Sequence, residues 1–188
     1  MPPDARTEER LVRDCLKGSE EAWSALVDRY QSLVYSIPLK WGITGDDAND
    51  IFQSVFFELL SHLASIRNPK ALPMWLIQTT SHKCQQFKKQ QQRFTSLEQD
   101  SEETEPAEPG PNGERILHDF QRDQTLSQAL ESLSPRCKRL VEMLFFESPA
   151  RPYDAIARDL GTATGSIGFI RGRCLDKLRQ TLGKAGFP

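Results

Sequence analysis

The sequence predicts an all-α protein: two small helical domains joined by a flexible acidic linker, the second with a helix–turn–helix. Apolar residues recur at three- and four-residue steps in both halves, and no stretch alternates as a half-buried strand does. Between the halves lies FTSLEQDSEETEPAEPGPNGE, Phe94 to Glu114, with three prolines, two glycines and two large apolar residues. Such a segment buries too little to offset its ordering entropy. Near the C-terminus, YDAIARDLGTATGSIGFIRGRCL reads as a short helix, a turn with glycine and a second helix.

The first helix of the predicted 5–93 domain opens at Ser19, an N-cap followed by Glu20 and Glu21. Trp23, Leu26, Val27, Tyr30, Val34 and Ile37 make its apolar face, and Pro38 and Gly42 kink or end it. Thr44 or Asp46 can cap the next helix, whose stripe is Ile51, Phe52, Val55, Phe56, Leu59 and Leu63. Asn68-Pro69 marks a fresh start, with Pro73 in the first turn of a further helix. That helix carries Trp75, Leu76 and Ile77, then becomes polar and basic in SHKCQQFKKQQQR.

The predicted second domain, 115–183, begins with an apolar pattern ending at Ala129, Leu130 and Leu133. Ser134-Pro135 starts a helix whose Leu140, Val141, Leu144 and Phe145 should face a core. Ile156, Ala157 and Leu160 point inward from a short helix, Gly161 suits a left-handed turn, and a last helix starts near Thr164.

The chain has 188 residues, of which 38% are hydrophobic and 27% charged, within the range of soluble globular proteins. No apolar run approaches the ~20 residues of a membrane span, and MPPDARTEER lacks the apolar core of a signal peptide, so a cytoplasmic protein is expected. Net charge is −2, but residues 94–120 hold one Lys/Arg against eight Asp/Glu, and residues 121–188 hold 11 against seven. From Leu160 onward Asp176 is the sole acid, beside Arg171, Arg173, Lys177 and Arg179, which suits phosphate binding.

Cys15, Cys84, Cys137 and Cys174 lie far apart, with no close pair of the kind zinc sites use, so reduced cysteines packed as small apolar residues are expected. No metal, cofactor or catalytic set is readable, and no enzyme is expected. The glycines of GSIGFIRGRCLDKLR lack the Lys-Ser/Thr of a phosphate loop and a preceding strand. Gly165-Ser166-Ile167-Gly168 matches the GxxG of KH domains, but that fold needs a sheet.

Several segments in order resemble a bacterial RNA polymerase sigma factor of the two-domain extracytoplasmic-function (ECF) type. SEEAWSALVDRYQSLVYSI (19–37) is similar to the family's first helix, and DANDIFQSVFFELLSHL (47–63) to its core-polymerase-binding segment. ALPMWLIQTTSHKCQQFKKQQQR (71–93) is similar to the promoter-melting helix. LESLSPRCKRLVEMLFFE (130–147) and YDAIARDLGTATGSI (153–167) resemble the second domain.

The resemblance implies that 5–93 is a region 2-like domain for core polymerase and the minus-10 element, and that 115–183 is a region 4-like domain for the minus-35 element. It places core-polymerase contacts at Asp47, Asp50, Gln53 and Phe56; the two aspartates also favour a helix N-terminus in their own right. Minus-10 contacts fall on Arg67, Asn68, Lys70, Lys83, Gln86, Lys88, Lys89 and Arg93. Phe87 suits either base stacking or the core, and Trp75 the core. Minus-35 contacts fall on Thr164, Ser166, Phe169, Arg171 and Arg173. Gly168, Phe169 and Ile170 depart from the family, which usually carries basic or polar residues there. Expected partners are core RNA polymerase, promoter DNA and, as in many relatives, an anti-sigma protein. The competing reading is a stand-alone helix–turn–helix regulator with a helical partner-binding domain.

Overall fold

A computed structural model describes residues 7–98 and 110–187. Among them are eight α-helices, three short 3-10 turns and no strand, as the fold class requires. The chain divides into two compact units, Pro3–Phe120 and Gln121–Pro188.

The first unit begins with α1, Glu8–Leu16, capped by Thr7 through the Arg10 N–H. This helix precedes Ser19, where the first expected helix opens. Its signal is a Thr cap, two glutamates in the first turn, and Leu11, Val12 and Cys15 at helical spacing, all buried. The Glu8 carboxylate accepts a hydrogen bond from the Tyr30 hydroxyl, joining α1 to the next helix. Burial, reinforced by that carboxylate, holds the Tyr30 phenol far above its ordinary pKa.

α2, Glu20–Lys40, starts where Ser19 accepts the Ala22 N–H at 3.2 Å. Pro38 sits in its last turn, where it lacks the N–H that would bond the Val34 carbonyl, and the helix ends two residues later at Lys40. α3, Gly45–His62, follows; Thr44 occupies the cap position without a side-chain bond, and Asp46 lies inside the first turn. A 3-10 turn, Pro69–Ala71, is capped by Asn68 and leads into α4, Leu72–Glu98, which carries Pro73 in its first turn. The core gathers Leu26, Val34, Ile37, Val55, Leu59 and Leu76, with Trp75 and Phe87 packed at its edge.

Both ends of the expected linker, 94–114, are helical. α4 stays helical to Glu98, and α5, Gly113–Glu131, begins where Asn112 accepts the Glu114 and Arg115 N–H groups. Residues 99–109, the acidic centre of that segment, lie outside the described residues. Gly110 rests on the Trp41 ring so closely that a β-carbon would fall 2.2 Å from Cζ2. Ile116 and Phe120 of α5 complete the first core, Phe120 lying 5.6 Å from the Tyr30 ring.

The second unit holds the rest of α5, then α6 (Pro135–Phe145), α7 (Tyr153–Asp159) and α8 (Ile167–Lys184). Ser134 caps α6 with Pro135 in its first turn. Gly161, at φ 60°, makes the turn after α7, and a 3-10 turn, Thr164–Ser166, precedes α8. The core is Leu140, Met143, Ile156, Ala157, Ile167 and Cys174, with Leu144, Leu160 and Ile170 at its margin.

Two expectations fail here. Phe145, expected in the core, is 58% exposed: it lies at the C-terminal end of α6, one turn past Val141 on the edge of the buried stripe, and Met143 fills the core instead. Cys137 and Cys174, expected as reduced thiols, form a disulfide with a Cα–Cα distance of 5.4 Å. Packing of α6 against α8 brings together residues 37 apart, which no sequence spacing signals.

Candidate nucleic-acid and partner interfaces

Charge and exposure single out three surfaces. The first is the outer face of α3. Asp46, Asp50, Gln53, Phe57 and Leu60 follow one another at three- and four-residue steps and are all exposed, with Asp47 beside them. Phe57 is 69% and Leu60 58% exposed, an unusual state for adjacent large apolar side chains on one helix. Phe56, one of the expected contacts, turns inward instead: its ring is 4.9 Å from Phe52, which meets Tyr35 edge-on. Sequence reasoning missed Phe57 and Leu60 because they lie outside the apolar stripe that defined the helix.

The second surface runs from the Arg67–Lys70 loop along α4. Arg67, Asn68 and Lys70 are exposed, but Asn68 caps the 3-10 turn by accepting the Lys70 N–H at 3.1 Å, and Lys70 lies 3.9 Å from Glu9. Lys83 makes a 2.7 Å ion pair with Glu58 of α3, so part of its charge is already neutralised within the unit. Gln86 lies 3.4 Å from the His82 ring. Lys89 and Arg93 are exposed and Lys88 half-buried, extending a basic edge toward the end of α4. Phe87 is half-buried against the core, a packing position.

The third surface is the start of α8. Thr164, Phe169, Arg171 and Arg173 are exposed, and Ser166 is half-buried. Phe169 is 69% exposed, and the Arg173 guanidinium lies 5.8 Å from its ring centre. Arg171 donates to the Tyr153 hydroxyl of α7 at 2.8 Å, which gives one arginine of this face a defined position. Sequence reasoning missed Tyr153, because its partner lies 18 residues away. A β-carbon at Gly168 or Gly172 would meet nothing within 4 Å, so packing inside the unit does not demand glycine at either position.

Several acids of this unit are held in ion pairs with arginines outside α8. Arg151 bonds Asp159 and lies 2.9 Å from Glu147, while Arg139 lies 3.3 Å from Glu147. The Asp159 bond, with both nearby carboxylates, raises the Arg151 pKa. The N-terminal half of α8 itself carries no acid, leaving a positive, partly aromatic helix start suited to a nucleic-acid groove.

Residues 26–94 match the family model for Sigma-70 region 2. An ECF RNA polymerase sigma factor SigE of Mycolicibacterium smegmatis is 27% identical, over 87% of this chain and 62% of its own length. The ECF RNA polymerase sigma-E factor of Escherichia coli is 26% identical over 86% of each chain. The RNA polymerase sigma factor NccH of Alcaligenes xylosoxydans is 23% identical over 95% of this chain and 96% of its own.

Proposed function

We propose that this chain, a sigma factor of the extracytoplasmic-function type, directs core RNA polymerase to specific promoters and assists in opening them. One observation carries the reading. The region 2 match spans residues 26–94, which hold most of α2, all of α3 and α4 as far as Phe94, and those helices bear both the α3 stripe and the basic edge of α4.

In this reading the α3 stripe docks on a helical element of core polymerase. Asp47, Asp50 and Gln53 supply polar contacts, and Phe57 and Leu60 supply the apolar area that dominates such contacts. Lys88, Lys89 and Arg93 follow the phosphates of the opened minus-10 strand, with Arg67, Asn68 and Lys70 at its entry. The start of α8 enters the major groove of the minus-35 element. Arg171 and Arg173 meet phosphates there, and Phe169 offers an apolar contact to a thymine methyl. The protein is then a non-enzymatic specificity subunit that works in the cytoplasm with polymerase.

Run-off transcription with purified core polymerase over a promoter library tests the reading. The expected result is a stable complex and discrete transcripts that depend on this chain. Failure of both would reject it. Tight duplex binding by the chain alone, without any complex with core, would favour a stand-alone regulator.

A further inference from the structure

The Cys137–Cys174 disulfide joins the first turn of α6 to the middle of α8. Cys174 is 1% exposed and belongs to the core, one residue past Arg173 and one turn past Ile170. Cys137 sits half-buried at the margin, within reach of a small molecule. Among the described residues, the buried cluster that holds α8 has six members, and only Ile167 and Cys174 of them come from α8 itself. The first unit differs. Cys84 is fully buried there, and burial pushes its thiol up to about 12, so it carries almost no reactive thiolate.

We propose that Cys137 and Cys174 form a thiol–disulfide site through which small-molecule disulfides set how firmly α8 is held, and with it promoter recognition by the second unit. The proposal rests on reading α8 as a promoter-binding helix. In a reducing compartment a protein disulfide is commonly transient and sensory.

The chemistry needs a low-molecular-weight disulfide as oxidant. The Cys137 thiolate, having lost its proton to solvent, attacks one sulfur of that disulfide and expels one thiolate, leaving a mixed disulfide on Cys137. The Cys174 thiol, held against Cys137 by the packing of α6 on α8, then attacks the Cys137 sulfur, its proton passing to the departing thiolate as the second small thiol leaves. Two protein thiols are oxidised by two electrons, and one small disulfide is reduced to two thiols. Reduction runs the same steps backward. Two unbonded sulfurs need more room than a bonded pair, so reduction pushes α6 and α8 apart in a close-packed core. It also releases the constraint on the unfolded segment between them. Both effects loosen α8, and the disulfide form is the DNA-competent one.

The full chain is equilibrated with graded ratios of oxidised and reduced glutathione, acid-quenched, alkylated and analysed by peptide mass spectrometry. Cys137 and Cys174 should change together, by two alkyl groups per chain, and reduction should lower the melting temperature of the second unit by on the order of 10 °C. Cys137→Ser and Cys174→Ala should each match the reduced protein and ignore glutathione; Cys137→Ser leaves the buried sulfur of Cys174 in place and so guards against simple misfolding. Promoter binding by the complex with core polymerase should fall about tenfold on reduction, while complexes carrying Cys137→Ser stay unchanged under the same reductant. Alkylation that never pairs, or melting indifferent to reduction, overturns the site. Equal promoter binding in both states overturns the control. Absence of promoter binding in every state rejects the sigma-factor reading instead, and the alkylation and melting results still decide the site.

Discussion

Phe57 and Leu60 stand exposed on α3 while Val55 and Leu59 beside them are fully buried. Exposed apolar side chains add little to the stability of the unit that carries them, so their truncation separates binding from folding. Phe57→Ala and Leu60→Ala should weaken the complex with core polymerase by about 1–3 kcal/mol each, with melting unchanged within error, as read by calorimetric titration and thermal unfolding. The opposite pattern is expected at Gly110. A β-carbon 2.2 Å from the Trp41 ring cannot be accommodated without displacing the ring or the chain. Gly110→Ala should cost about 1–3 kcal/mol of first-unit stability, measured by denaturant unfolding, although Gly110 lies in a segment that composition alone marks as a loose tether. Tyr153→Phe removes the hydroxyl that positions Arg171 and leaves the ring in place. It should lower minus-35-dependent transcription several-fold without altering thermal stability.

At the scale of elements, caps and ends followed local chemistry. Ser19, Asn68 and Ser134 each accept a backbone N–H at the helix or turn start where the sequence marked one. α8 is the element whose composition conflicts with its structure. Gly168 and Gly172 lie inside a helix with open space around them, where glycine costs about 1 kcal/mol relative to alanine. Gly168→Ala should therefore raise second-unit stability by about 0.5–1 kcal/mol in a melting experiment. If the backbone there approaches DNA, the same change lowers promoter affinity, and the stability gain and the binding loss are then measured on one variant. α1 was legible in principle, since Thr7, Glu8 and Glu9 make a helix start; its pattern is short, and its apolar residues gain meaning only beside α2.

For the whole molecule, the two units have separate cores, one built around α2 and α4 and the other around α6 and α8. Leu26→Ala removes a fully buried side chain from the first and should destabilise that unit by about 2–5 kcal/mol, while the unfolding of the second unit, followed by hydrogen exchange on α6 and α8, stays as it was. The all-helical class and most helix starts were determined by the sequence itself, because period, caps and prolines act within a few residues. The order of the segments also carried the resemblance to sigma factors of the extracytoplasmic-function type. Only the tertiary structure decided that Phe56 turns in and Phe57 out, that Met143 replaces Phe145 in the core, and that Ile116 and Phe120 complete the first core. It likewise decided that Lys83 meets Glu58, that Tyr153 meets Arg171, and that Cys137 meets Cys174. Each of these joins residues on different helices, and the distance between two helix faces depends on how the helices pack, which local sequence does not encode.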